Sequence, residues 1–174
     1  IKSLTGSFQF ESVVLNYLDT MPNIFDLEGM ANIYDDRLEF DVISGNSRGL
    51  DLLNGKIKIL DLDKEIERAL INIEIATNLN DLNSYLKLSP ISNEKYTELK
   101  RIKANANIKL NLELPLLIDL PIEKIIYSAD LKTKNAEIYN VFESFNVENA
   151  SISATINQNN VIYFGSGLFN NFPI

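Results

Sequence analysis

The chain has no cysteine, no histidine and no tryptophan. Each absence removes chemistry. Without thiol there is no disulfide and no thiolate nucleophile. Without imidazole there is no His-dependent triad, no His-ligated metal and no proton shuttle near neutral pH. Lack of cysteine suits a reducing compartment or a cysteine-poor periplasmic protein, and does not choose between them. No apolar run approaches the roughly 20 residues a helix needs to span a bilayer. No glycine-rich phosphate loop is present. The net charge of −8 and pI near 4.6 repel phosphate backbones and anionic lipid surfaces, so nucleic acid is not expected as a partner. What is present is apolar content of 45%, enough for a core and too much for disorder. Asparagine and isoleucine are abundant, a bias that an AT-rich coding sequence would explain.

The pattern along the chain is period two. Ala104, Ala106, Ile108, Leu110, Leu112 and Leu114 alternate with Asn105, Asn107, Lys109, Asn111 and Glu113. Side chains alternate across a strand, so this is a long strand with one apolar and one wet face. Phe8 and Phe10 alternate likewise, and Val13 and Leu15 continue on the other parity, which places a bulge at Glu11-Ser12. Leu27, Gly29, Ala31 and Ile33, a turn at Asp35-Asp36, then Leu38, Phe40 and Val42 read as a hairpin. Ser44–Ser47 reads as the next turn, and Asn54-Gly55 as a bulge or kink before Ile57 and Ile59. Asp61–Glu67 reads as a turn before Ala69, Ile71, Ile73 and Ile75. After 104–114, strands are expected over about 124–131, 136–141, 145–156 and 160–166.

One stretch departs from this pattern. Leu79, Leu82, Tyr85 and Leu86 have helical spacing, with Asn78 or Asn80 as cap and Pro90 as stop. Ser92 or Asn93 can cap a second short helix carrying Tyr96, Leu99 and Ile102. A helical insert near 79–102, packed over one end or edge of the sheet, is therefore expected. Pro22, Ile24, Leu27, Ala31 and Ile33 echo Pro121, Ile122, Ile125, Ala129 and Leu131. The echo points to two copies of a meander, about 1–76 and 104–174, within one β-rich segment spanning 1–174 and expected to be part of a larger protein.

Catalytic signals are thin. Asp35-Asp36, Asp61 with Asp63, and Glu65 with Glu67 read as solvated turn acids, because the glycine and further acidic ligand of a calcium loop are missing. Arg48 reads as a surface charge. No catalytic residue, metal ligand or cofactor is assigned, and an enzyme is not expected. The remaining candidate is the alternating apolar face itself. Much of the chain builds strands with one apolar side, and little helix is available to cover them. Either the sheet folds over on itself, or part of the face stays open as a groove for a ligand or partner.

The order of motifs resembles a known family. Gly6-x-Phe8-x-Phe10, Val13-x-Leu15-x-Tyr17, Met21-Pro22 with Ile24, and Leu27-x-Gly29 come first. Leu38-x-Phe40, Ser44-Gly45, Leu50, Ile57-x-Ile59 and Leu60-x-Leu62 follow. Then come Ile71-x-Ile73-x-Ile75, Asp81-Leu82, Tyr85-Leu86, Ser89-Pro90, and Ala106-x-Ile108-x-Leu110-x-Leu112 running into Leu114-Pro115-Leu116. Across essentially the whole chain this is similar to the AsmA-like superfamily, in particular its YhdP branch related to TamB. The acidity and asparagine richness depart from that pattern.

The resemblance implies a mainly β fold: a long, curled antiparallel sheet with an apolar concave groove and a short helical insert. It implies a periplasmic segment of a parent anchored in the inner membrane of a Gram-negative bacterium. Its role would be outer-membrane biogenesis, as a lipid transport protein moving phospholipid between inner and outer membranes. Phospholipid acyl chains and neighbouring segments of the same chain are the implied partners. The groove candidates are Leu38, Phe40, Val42, Ile57, Ile59, Ile71, Ile73, Ile75, Ile108, Leu110 and Leu112. Two other classes stay open: a structural or adhesive β-rich binding module with a closed sandwich core, and a closed barrel holding one apolar ligand.

Overall fold

The computed structural model describes residues 5–89, 101–142 and 145–174. These form one antiparallel sheet of eleven strands, not closed into a barrel. In chain order the strands are β1 (Gly6–Leu15), β2 (Ile24–Ile33), β3 (Arg37–Ser47), β4 (Leu50–Leu60) and β5 (Arg68–Asn78). A helix, α1 (Leu79–Leu86), follows. Next are β6 (Ile102–Lys103), β7 (Asn105–Pro115), β8 (Ile126–Phe142), β9 (Phe145–Asn157), β10 (Val161–Phe169) and β11 (Phe172–Pro173). Each long strand pairs with its sequence neighbours, and β7 takes the place beside β5 after the helix. β6 pairs with β8 through Ile102↔Ile138 and Lys103↔Glu137, prolonging β7 along the longer β8. The described residues thus make neither a two-sheet sandwich nor a closed barrel.

Local chemistry explains the breaks. The β1–β2 register shifts between Phe10 and Val13, and Ser12 sits at φ 54°, so the bulge expected at Glu11-Ser12 is present. The β4–β5 register shifts between Leu52 and Asn54, so the bulge expected at Asn54-Gly55 falls at Leu53 instead. The turn expected at Ser44–Ser47 is not there, because those residues lie in β3. The chain reverses instead at Arg48 (φ 50°) and Gly49 (φ 83°), the paired left-handed residues that suit a two-residue hairpin. Gly45 is small for a packing reason: a Cβ there would meet Leu27 Cδ1 at 3.0 Å and Ile24 Cγ2 at 3.2 Å.

The strands expected over 124–131 and 136–141 are one continuous strand, β8, preceded by a 3-10 turn at Ile122–Lys124. Its irregularities are absorbed by bulges rather than a break. The β8–β9 register shifts around Asn135 and Asn140, and both occupy left-handed φ, as does Asn149 on β9. Asn170 and Asn171 do the same in the turn before β11. Asparagine tolerates this conformation because its short polar side chain bonds the local backbone. Part of the asparagine richness therefore has a structural use beyond coding bias.

α1 begins where expected. The Asn78 side-chain carbonyl accepts from the Asp81 N–H at 2.9 Å and is the N-cap. The helix ends at Leu86, before Pro90. The second helix expected after Ser92 falls on residues 90–100, outside the described residues. Ile102, assigned to that helix from its spacing, lies in β6, where a strand partner on β8 overrides helical periodicity.

Leu79 is 1% exposed and packs with Leu82, Ala106, Ile108 and Leu131 in the main core cluster. A second cluster, Ala136, Val147 and Ala150, continues the core along the extension of β8 and β9.

Candidate functional site: the apolar face of the sheet

In an antiparallel ladder, residues directly opposite each other share a face. The register therefore orders the side chains into rows across the strands. A first row runs Ile33, Leu38, Ile59, Ala69, Leu114. A second runs Phe8, Ala31, Phe40, Ile57, Ile71, Leu112, Tyr127. A third runs Phe10, Gly29, Val42, Gly55, Ile73, Leu110, Ala129, Ile156, Val161. A fourth runs Gly45, Leu52, Ile75, Ile108, Leu131, Ala154, Tyr163. A fifth runs Ser47, Leu50, Thr77, Ala106, Thr133, Ile152, Gly165.

All eleven candidate residues, Leu38 through Leu112, stand in the first four of these rows. None of the five rows contains a charged residue. The face also reaches further than those candidates. Phe8, Phe10 and Ile33 extend it towards β1, and Tyr127, Leu131, Ile152, Ile156 and Val161 extend it towards β10. Alternation at Phe8 and Phe10 was legible in the sequence. The β8–β10 part was harder to read, because alanines, glycines and asparagine bulges interrupt the apolar parity.

Large and small residues interlock across the third row. The Phe10 ring lies over Gly29, where an added Cβ would come within 2.6 Å of its Cζ. Ile73 Cγ2 lies over Gly55, 2.7 Å from where a Cβ would stand. Phe10 also meets Phe8 and Phe40, each at 6.5 Å between ring centroids, the second pair edge-on. Ala31 and Val42 are buried, at 1% and 4% exposure, and Phe40, Ile57, Ile71, Ile73, Leu110 and Leu112 are half-buried. The exposed members of the second to fourth rows lie at the two ends, Phe8 at 50%, Val161 at 61% and Tyr163 at 76%.

The opposite face carries the charged residues, which pair strand to strand, beside exposed Met30, Ile126, Ile162 and Phe164. Lys56 meets Asp41 at 3.0 Å, Lys58 meets Glu39 at 3.2 Å, and Lys109 meets Glu74 at 2.8 Å. Each pair is directly opposite in register. The Lys109 ammonium, helped by Asn54, holds the Glu74 carboxyl below the usual carboxylate range, and Arg37 with Lys58 does the same for Glu39. Lys109 and Asn111 are exposed while Ile108, Leu110 and Leu112 are not, as the alternation requires.

One end of the apolar face is covered. α1 lays Leu79 and Leu82 on Ala106, Ile108 and Leu131, with Ile75, Ala129 and Ala154 packed around them. The Tyr85 hydroxyl on α1 meets the Tyr17 hydroxyl, from the β1–β2 connection, at 2.5 Å. Burial, reinforced by Tyr85, pushes the Tyr17 phenol well above its ordinary pKa. Ser47 Oγ donates to the Asn23 carbonyl at 2.8 Å, tying the same connection to the end of β3. No helix among the described residues is long and apolar enough to cross a membrane.

Fold and face together define an open, single-sheet antiparallel β protein with one uncharged apolar side. Compared with protein-family models, with curated proteins and with solved structures, the chain matches none.

Proposed function

We propose that the apolar face lines a lipid-conducting trough, within a periplasmic protein that moves phospholipid between two membranes without chemical catalysis. The observation carrying this reading is the unbroken, uncharged third row, which crosses every long strand from β1 to β10. Nine strands at about 4.8 Å spacing give that row a span of roughly 38 Å, long enough to hold an extended acyl chain. Half-burial of Phe40, Ile57 and Leu112 in a single sheet supports a surface curled towards itself, its concave side forming the groove. Each acyl CH₂ left in water costs about 0.8 kcal/mol, so a sixteen-carbon chain costs on the order of 12 kcal/mol. A continuous apolar wall removes that barrier, and needs no nucleophile or metal to do so. Among the described residues, β11 pairs only with Leu168 and Phe169 of β10, so the outer backbone edge of β10 before them fits pairing with a neighbouring strand of the same protein.

The test is photo-crosslinking to phospholipid from a probe placed at 110 or at 109. Strong crosslinking from 110 and little from 109 is the expected result. Leu110→Asp or Ile73→Asp sets an unpaired carboxylate on the acyl path and should abolish lipid capture in a protein whose circular dichroism is unchanged. Lys109→Asp, on the wet face, should leave capture intact. Equal crosslinking from both positions, or none from 110 in a folded protein, refutes the trough.

A further inference from the structure

Among the described residues the sheet has two open ladder edges, the outer sides of β1 and β10. They differ in how they are defended. β1 carries Glu11, two register shifts and a left-handed Ser12, features that spoil a template for a further strand. β10 has none of these over Val161–Ser166: no charge, no proline, and six residues in unbroken register with β9. Its outer side is taken only further on, where β11 pairs with Leu168 and Phe169 and Ile174 exchanges backbone hydrogen bonds with Gly167. By alternation, Val161, Tyr163 and Gly165 turn their N–H and C=O groups outward as Gly167 does. Val161, Tyr163 on one face and Ile162, Phe164 on the other are all more than half exposed. An unpaired backbone edge flanked by exposed apolar side chains is a site for one more strand.

We infer that its occupant is the same edge of a second copy of this chain, paired antiparallel about a twofold axis perpendicular to the sheet. The inference goes beyond the trough reading and needs only the open edge. Strand direction favours it. Nine long strands, each antiparallel to the next, begin and end on strands that run the same way. Joining β10 of one copy to β1 of another in a continuing sheet would therefore be parallel, and against a bulged strand. Joining β10 to β10 is antiparallel and regular.

The sequence of the edge also complements itself. Opposed residues share a face, so the frame must match like parity. Centred on Tyr163, it sets Val161 opposite the partner's Gly165, Ile162 opposite the partner's Phe164, and Tyr163 opposite the partner's Tyr163. Bulk meets glycine, a β-branched residue meets an aromatic one, and no like charges are opposed although each copy carries −8. A frame centred on Phe164 would bring Val161 against the partner's Gly167, whose outer side Ile174 already holds. The axis keeps both apolar faces on one side of the joined sheet, and an isologous contact closes at two copies.

The experiment is sedimentation velocity of the 174-residue chain over a wide dilution series, joined to cysteine crosslinking. The expected species has twice the 19.7 kDa mass of one chain. Ile162→Lys and Phe164→Lys, both at solvent-exposed positions, should keep the circular dichroism and weaken the dimer about tenfold or more. The chain has no native cysteine, so an introduced one is its sole thiol. Tyr163→Cys should form a disulfide-linked dimer under mild oxidation, because a hydrogen-bonded antiparallel pair sets its Cα atoms about 5.5 Å apart, within disulfide reach. Val14→Cys, exposed on β1, should not. A chain that stays monomeric throughout the series leaves the edge to a neighbouring segment of its own chain and refutes the dimer. Assemblies that grow beyond two copies, or equal crosslinking from 14 and 163, refute the isologous edge.

Discussion

Gly29→Ala is the sharpest test of the row arrangement. Gly29 lies mid-strand in β2, opposite both Phe10 and Val42. A Cβ there would stand 2.3 Å from the Asp41 carbonyl oxygen and 2.6 Å from Phe10 Cζ. The ring can swing aside. The carbonyl belongs to the backbone of β3 and cannot move alone. Reaching an ordinary contact of 3.4 Å needs β2 and β3 to part locally by about 1 Å. That displacement takes neighbouring ladder bonds beyond the usual N–H···O range of about 2.7–3.2 Å. Two weakened bonds at about 1 kcal/mol each, plus overpacking strain of about 1–3 kcal/mol, give an expected loss of about 3–5 kcal/mol. Gly6→Ala is the control: nothing lies within 4 Å of its Cβ, so it should be neutral or slightly stabilising. Urea unfolding followed by circular dichroism and tyrosine fluorescence reads both, and coincident transitions license the comparison. Phe10→Leu in the Gly29→Ala background should recover only the ring's share. A Gly29→Ala protein within 0.5 kcal/mol of wild type, or one fully rescued by Phe10→Leu, would refute the close approach of β2 and β3.

Leu79→Ala should cost about 2–5 kcal/mol in the same assay, since the side chain is 1% exposed beneath α1; a loss under 1 kcal/mol would mean that the helix is not anchored there. Asn78→Ala removes the N-cap bond to Asp81 and should cost about 1 kcal/mol, with Asn78→Ser close to neutral. The carboxyls of Glu39, Asp61 and Glu74 are held below their ordinary pKa by Arg37 and Lys58, by Lys64 and Arg68, and by Lys109. A depressed folded-state pKa adds stability above the unfolded pKa and loses it as pH falls through the folded one, so the melting temperature should hold from pH 7 to about 5 and fall below about 4. Because the partner lysines are solvated, 1 M salt should flatten the fall, and an unchanged acid profile in salt would place its cause elsewhere.

The facing of each side chain was legible in the sequence because strand periodicity is local. Ile108, Leu110 and Leu112 share a side for the same reason that Lys109 and Asn111 share the other, and no distant contact is needed to establish it. The start of α1 was also legible, since Asn78 caps within one turn. The Ser44–Ser47 turn was misplaced because Gly45 looks like turn chemistry. Its smallness serves Leu27 and Ile24, which come from another strand. The continuity of β8 is not legible at Lys132–Asn135, where a polar run separates the two expected strands, whereas in a sheet with both neighbours in place Asn135 serves as a bulge.

Composition and alternation alone determined a mainly β chain with one apolar and one wet side, a helix beginning at Leu79, and no imidazole or thiol chemistry. Tertiary structure decided what depends on residues far apart in sequence. Register across nine strands lined Phe10, Gly29, Val42, Gly55, Ile73 and Leu110 into one uncharged row. It set Glu74 opposite Lys109, and closed the Tyr17–Tyr85 contact between the β1–β2 connection and α1. Burial left Asn83 Oδ1 on α1 and Thr133 Oγ1 on β8 without hydrogen-bond partners. Pairwise register and desolvation are properties of the assembled sheet, and no window of sequence contains them.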